Sequence, residues 1–178
     1  MRNTTLCYIE KNGAYLMLLR NKKKVDENAG KWIGVGGKFE EGESPEQCVE
    51  REVYEETGLR LTDYCFRGIV TFVSDEWGCE YMHLFTATGF EDPNHDASEY
   101  QSFEKVPNDL CDGMILTMPV PECEEGELRW IAKEEIMDLN LWEGDRPFLS
   151  LMMESDSFFT MRLQYEGDKL VRIEQKIY

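Results

Sequence analysis

Between Gly37 and Leu59 the chain reads GKFEEGESPEQCVEREVYEETGL, text that admits little besides a turn, a capped helix and a second turn. Ser44, followed by Pro45 and three residues on by Gln47, makes a capping box with proline at the first helical position. Gly58 supplies the residue that turns left-handed at the far end. Cys48, Val49 and Val53 form a narrow apolar stripe for the core. Glu52, Glu55 and Glu56 recur at three- and four-residue steps and so share a helix sector of roughly 100°. Glutamates in such text ordinarily make a solvated face, but like charges at this spacing repel by a few tenths of a kcal/mol per pair unless something neutralises them. A set of oxygen ligands selects Mg²⁺, Mn²⁺ or Ca²⁺ over zinc or copper.

Around this segment the text alternates in strands. Thr4 to Arg20 reads as a hairpin about Asn12-Gly13, with Leu6, Tyr8, Tyr15, Met17 and Leu19 alternating. A basic loop with Lys22, Lys23 and Lys24 follows, read as solvated charge, although in so acidic a chain it could also steer a phosphate. Lys31 to Gly36 is a short extended stretch feeding the turn Gly36-Gly37, where bare backbone can approach a metal or a phosphate. Leu61 to Ser74 and Cys79 to Gly89 are long strands. Glu91 to Glu127 lacks sustained periodicity apart from an apolar patch at Met114 to Val120, and is expected to be a long acidic loop or insertion. Leu128 to Ala132 reads as a strand, Lys133 to Leu139 as a short helix, and Asp145 as the cap of a helix carrying Phe148, Leu149, Leu151 and Met152 inward. Phe158 to Tyr165 and Lys169 to Lys176 flank Gly167-Asp168 as a closing hairpin. The expectation is one domain over residues 1–178, of α/β class, with a mixed central sheet between helices.

Composition removes whole classes of function. A formal net charge of −17 opposes binding a long nucleic acid through its backbone. The six cysteines, at positions 7, 48, 65, 79, 111 and 123, make no CxxC pair, and with only His83 and His95 beside them the spacing does not call for a structural zinc site. No apolar run reaches the roughly 18 residues that span a bilayer, and the first residues lack a signal-type apolar segment, so a cytoplasmic protein with reduced thiols is expected. P-loop, GxSxG and HExxH patterns are missing, which leaves the common ATPase, serine-hydrolase and zinc-protease readings without residues.

The segment that opened this section resembles the Nudix hydrolase signature, each fixed position of which is filled, by Gly37, Glu43, Arg51, Glu52, Val53, Glu55, Glu56, Gly58 and Leu59. The resemblance implies a Nudix-type α/β/α sandwich and hydrolysis of a diphosphate linked to another group, with Mg²⁺ or Mn²⁺ as cofactor. It implies Glu52, Glu55 and Glu56 as metal ligands and catalytic groups, the Gly36 carbonyl as a further ligand, and a bracing role for Glu43 with Arg51 and for Gly37 and Gly58. Such chemistry has a clear physical need, because phosphoryl transfer develops charge on oxygens that metal ions can neutralise while activating water.

Within the family the chain is most similar to the 8-oxo-dGTP diphosphatases of the MutT-like subgroup, which clean the nucleotide pool and so serve DNA repair. GKWIGVGGK, Met82-His83-Leu84-Phe85 and Leu141-Trp142-Glu143-Gly144-Asp145 carry that likeness. Carried over, Trp142 walls or stacks on the purine, Asp145 bonds its edge, Phe148 closes the pocket, and Ile33 and Lys38 contact substrate. Two departures stand out: Ile33 replaces a polar base-contacting residue, and Gly144 replaces a second acid. Glu125, with Glu124 and Glu127 as competitors, is the expected remote carboxylate. The expected partner is a small nucleotide, with no polymer and no membrane, and the assembly a monomer or a homodimer. The alternatives are a Nudix pyrophosphatase for ADP-ribose, a dinucleoside polyphosphate or capped RNA, and a catalytically silent nucleotide sensor.

Overall fold

A computed structural model describes residues 1–178. The chain opens with the hairpin β1 (Arg2–Lys11) and β2 (Ala14–Leu19), turned by Asn12 and Gly13, both at positive φ (51° and 75°), the pairing a two-residue type I′ turn needs. β3 (Trp32–Ile33) pairs with β2. Then come α1 (Pro45–Thr57), β4 (Arg60–Ser74), β5 (Gly78–Glu91), β6 (Lys105–Pro107), β7 (Met114–Leu116), β8 (Glu127–Ala132), α2 (Asp145–Glu154), β9 (Phe159–Glu166) and β10 (Lys169–Ile177). They form one ten-stranded sheet in the order β10-β9-β4-β5-β1-β2-β8-β7-β6, with β3 added alongside β2.

The sheet is mixed, since β1 runs parallel to β5 and β4 parallel to β9 while the hairpins are antiparallel. Its central strands are covered on both faces. On one, Val49 and Val53 of α1 pack with Cys7, Ile9, Phe85 and Trp130. On the other, Phe148, Leu149 and Met152 of α2 pack with Tyr8, Met17, Leu84 and Phe159. This is why β1 and β2 are buried nearly continuously, where simple alternation would leave one face wet. Arg67, almost wholly buried at an irregularity in β4, donates to the carbonyls of Met152 and Ser155 and so ties the end of α2 to the sheet.

The caps of α1 are those the sequence specifies. Ser44 Oγ accepts from the Gln47 amide at 3.2 Å, Gln47 Oε1 accepts from the Ser44 amide at 3.0 Å, and Gly58 closes the helix at φ 72° with its N–H on the Tyr54 carbonyl. Ser44→Ala should cost about 1 kcal/mol, read as a lower urea midpoint with an unchanged slope.

Two expectations for the second half change. Residues 91–127 are not merely a loop. They hold a 3₁₀ turn (Ala97–Tyr100) capped by Asp96, and the β6–β7 hairpin, which extends the sheet from β8 because Ile115 and Leu116 pair with Ile131 and Trp130. Tyr100 stands in the core, edge-on to Phe90 and Trp130. Asp145 is not a cap: Gly144 precedes α2 in a helical conformation with no side-chain cap, and Asp145 is the first helical residue.

Candidate active site

The loop before α1 is welded to β1. Thr5 N–H donates to the Gly37 carbonyl at 2.9 Å and Cys7 N–H to that of Val35 at 2.7 Å. A side chain on Gly36 would overlap the Thr5 carbonyl, and one on Gly37 would fill the space of the Glu52 carboxylate. Glycine is therefore dictated by backbone contact at Gly36, whereas a side chain at position 37 would displace the Glu52 carboxylate from its place.

Arg51 organises the helix face. Its Nε and Nη2 fork onto Glu43 at 2.6 and 2.9 Å, Nη2 also reaches the Lys38 carbonyl at 2.9 Å, and Nη1 meets Glu52 at 2.9 Å and Glu55 at 3.2 Å. The Arg51 bonds, with the Glu40 amide, hold the Glu43 carboxyl down at about 2, and the same pairs raise the guanidinium. Arg51 thus draws Glu52 and Glu55 towards itself, and the three carboxylates of α1 do not close into one cluster. Glu52 and Glu56 face a common cleft, whereas the Glu55 side chain is 56% exposed and lies outside it. Burial pushes the Glu56 carboxyl up to about 7, offset only in part by one hydrogen bond from the Gly36 amide at 3.0 Å. A half-buried carboxylate with a single hydrogen-bond partner, beside a second carboxylate in a glycine-lined cradle, is an oxygen donor set of the kind that suits a hard divalent cation.

Opposite this face, Glu125 points into the same cleft and pairs with both Arg20 and Lys23. Glu127 instead reaches Arg129 at 3.6 Å, and Glu124 is exposed. Of the lysines read as solvated charge, Lys23 lines the cleft and Lys22 donates to the Cys123 carbonyl at 2.7 Å, while Lys24 stays on the surface. Lys38 lines the cleft as well.

The cleft, of about 540 Å³, continues over the sheet to Leu6, Ile33, Phe72, Met82, Trp142 and Asp145. Trp142 is fixed by its Nε1 donating to Asn28 at 2.9 Å, by Lys31 at 4.9 Å from its ring and by Tyr165 edge-on at 5.7 Å. Asp145, 7% exposed and without a side-chain hydrogen bond, is pushed by burial up to about 7 against the pull of Lys31 and Arg146. Phe148 does not close this pocket. Three residues beyond Asp145 the helix face turns into the core, where Phe148 is fully buried against Tyr8 at 6.4 Å. Arg20, Phe72 and Met82 went unmarked in the sequence as site residues. The apolar pair is legible only once β4 and β5 are in register, and Arg20 only through its pairing with Glu125.

The Asp145 carboxyl carries a pH signature. Below about pH 4 it is protonated in folded and unfolded chains alike and contributes nothing. As pH rises to about 7 the unfolded chain releases the proton while the folded one keeps it, so stability falls, and above 7 the full penalty stands. Asp145→Asn should remove that penalty, on the order of 2 to 4 kcal/mol at pH 8. Thermal melts from pH 4 to 8.5 should show the variant's advantage growing with pH. A gap that is constant with pH would contradict this account of the site.

The domain model for NUDIX, described as the NUDIX domain, matches residues 1–152, which include the glycine turn, α1 and the whole cleft. The chain belongs to the Nudix family. It is 27% identical over 170 residues to an uncharacterised Nudix hydrolase, YvcI, of Bacillus subtilis (strain 168), covering 93% of this chain and 90% of that one. It is 33% identical over 95 residues to an oxidized purine nucleoside triphosphate hydrolase of Danio rerio, covering 51% of this chain and 61% of that protein. Among solved structures, the MutT protein of Bacillus halodurans superposes with a TM-score of 0.75 at 24% identity, over 99% of this chain and 98% of that one, a likeness of fold. The protein is accordingly a Nudix hydrolase whose fold is that of the MutT proteins, an enzyme of a family that uses divalent metal ions and acts on small nucleotides. No helix is long and apolar enough to cross a membrane.

Proposed function

We propose that this Nudix hydrolase converts a nucleoside triphosphate to the monophosphate and pyrophosphate, with an oxidised purine nucleotide such as 8-oxo-dGTP as its preferred substrate and Mg²⁺ or Mn²⁺ as cofactor. One observation carries the reading: a single cleft joins a carboxylate and cation end to an aromatic end with a buried acid. At the first end Arg20, Lys23 and Lys38 are placed to take phosphate oxygens, and Arg20 or Lys23, on turning to the substrate, loosens Glu125 from its ion pairs. Glu52 and Glu56 would hold the metal with the Gly36 carbonyl, joined by Glu55 on leaving Arg51. The bound ion supplies charge neutralisation on the phosphate oxygens and acidification of water.

At the other end Phe72 and Met82 floor a slot walled by Trp142, where a flat base loses water from both faces. Asp145, titrating near neutrality, can donate a proton to a ring acceptor or accept from a ring N–H, the double competence that base-edge recognition asks of a carboxyl. The printed names of the Danio rerio relative and of a Mus musculus protein 27% identical over 143 residues, both oxidized purine nucleoside triphosphate hydrolases, support the same substrate class.

The test is a panel of kcat/KM values with Mg²⁺ for 8-oxo-dGTP, dGTP, the other triphosphates and ADP-ribose, because discrimination is expressed in that ratio. Triphosphates should exceed ADP-ribose, with the oxidised purine foremost. ADP-ribose in the lead would replace this reading with that of a sugar-nucleotide pyrophosphatase.

A further inference from the structure

One stretch of the cleft lining is polar and takes no part in the reading of the phosphate and Asp145 ends. Arg2 and Glu80 are direct partners in the parallel β1–β5 register, and both line the cleft with Thr4 and Glu27. Glu80 is 8% exposed. Thr4 Oγ1 donates to its Oε1, and Arg2 Nη2 lies 2.8 Å from its Oε2 and 2.9 Å from Glu27. Only Nη2 of the Arg2 guanidinium is engaged, so Nε and Nη1 remain as donors beside a nearly buried carboxylate whose oxygens each keep a lone pair. Leu6 and Met82 supply apolar lining in the same cleft.

We infer that Arg2 and Glu80 form a second base reader that recognises the oxidised edge of an 8-oxopurine, an inference that rests on the purine reading of the cleft. The chemistry of that edge fits the pair. Oxidation at C8 turns N7 from an acceptor into an N–H donor and adds a carbonyl acceptor beside it. Glu80 accepts from N7–H and Arg2 donates to O8. An unoxidised purine presents the N7 lone pair to the nearly buried Glu80 carboxylate and only C–H to Nε and Nη1 of Arg2, so it meets repulsion at one group and offers no acceptor to the other. Discrimination then comes from rejection as much as attraction.

The experiment compares kcat/KM for 8-oxo-dGTP and dGTP, and for GTP and dGTP, in wild type, Glu80→Gln and Arg2→Gln. The 8-oxo-dGTP to dGTP ratio should fall at least about tenfold in both variants, the scale of one well-placed pair at a base edge. An amide at position 80 can also donate to N7, so Glu80→Gln should gain relative activity on dGTP. A loss of packing alone would weaken both nucleotides and leave their ratio in place. If Glu80→Gln fails to fold, Arg2→Gln reads the same ratio from the other member of the pair. An unchanged oxidised-to-unoxidised ratio in a folded variant overturns the inference, and so does a shift confined to the GTP to dGTP ratio, which would assign the pair to the sugar. A wild type that turns over no triphosphate refutes the purine reading itself, before any substitution is made.

Discussion

Glu56→Gln should lower kcat on any nucleotide substrate by about a thousandfold or more, since replacing a ligand oxygen that bears charge forfeits the several kcal/mol that metal-assisted phosphoryl chemistry depends on. The fold should survive. The Gly36 amide, 3.0 Å from Glu56 Oε2, can be accepted equally by an amide oxygen of the same shape, so circular dichroism and the melting profile should remain native. Glu52→Gln should behave alike, because Glu52 faces the same cleft. Glu55 offers a sharper comparison. It begins outside the cleft on Arg51, so Glu55→Gln should cost turnover only if its carboxylate moves in when metal and substrate bind. Steady-state rates at saturating Mg²⁺ for the three variants would rank the carboxylates by role. A Glu56→Gln enzyme with wild-type kcat would remove the α1 carboxylates from the chemistry.

Arg51→Met carries the second large effect, and here stability and activity fall together. One guanidinium is forked onto Glu43, bonded to the Lys38 carbonyl and shared between Glu52 and Glu55, and its side chain is only 21% exposed. Removing it leaves two carboxylates crowded at the helix face and a loop carbonyl without its donor. The expected loss is about 2 to 3 kcal/mol, allowing for partial screening by solvent. For a chain of this length that is a fall of roughly 5 to 10 °C in Tm. Activity should fall at least about a hundredfold at temperatures where the variant is folded, as for other groups that orient metal ligands without binding substrate. Arg51→Lys should recover part of the stability and little of the activity, since an ammonium cannot reproduce the fork. Full activity in Arg51→Met would show that Glu52 needs no such positioning.

What the sequence disclosed and what it withheld divide along contact range. The helix Pro45–Thr57 and both its ends were readable because Ser44, Gln47 and Gly58 act on backbone within a few residues. The hairpin turns at Asn12-Gly13 and Gly167-Asp168 were readable for the same reason. The sheet order was not, because pairing Arg2 with Glu80 or Gly68 with Phe159 joins residues far apart in the chain through backbone bonds that leave no periodic trace. The short β6–β7 hairpin was hidden in acidic text because three-residue strands present too few positions for alternation to register.

The site divides in the same way. Glu52 and Glu56 could be placed at the cleft by their spacing and Glu125 by its position before β8, whereas Glu55, at the same spacing, stands outside on Arg51. Asp145 was mistaken for a cap because an acid opening a helix usually is one, whereas here its side chain is buried over the sheet with no hydrogen bond. Phe148 was placed in the pocket because nearness in sequence to Asp145 does not specify which way a helix face turns, and packing against Tyr8 decided it. Arg20 became a site residue only through Glu125, about a hundred residues away, since ion pairs across such separations have no sequence signature, while Lys23 belongs to the basic loop whose run of charge already suggests a phosphate.

The most direct test of the account is to identify the products by phosphorus NMR when the purified chain meets 8-oxo-dGTP, with Mg²⁺ and then with excess EDTA. The account predicts nucleoside monophosphate and pyrophosphate in equal amounts with the metal, and no turnover once it is chelated. Nucleoside diphosphate with orthophosphate, or hydrolysis that persists in EDTA, would contradict it.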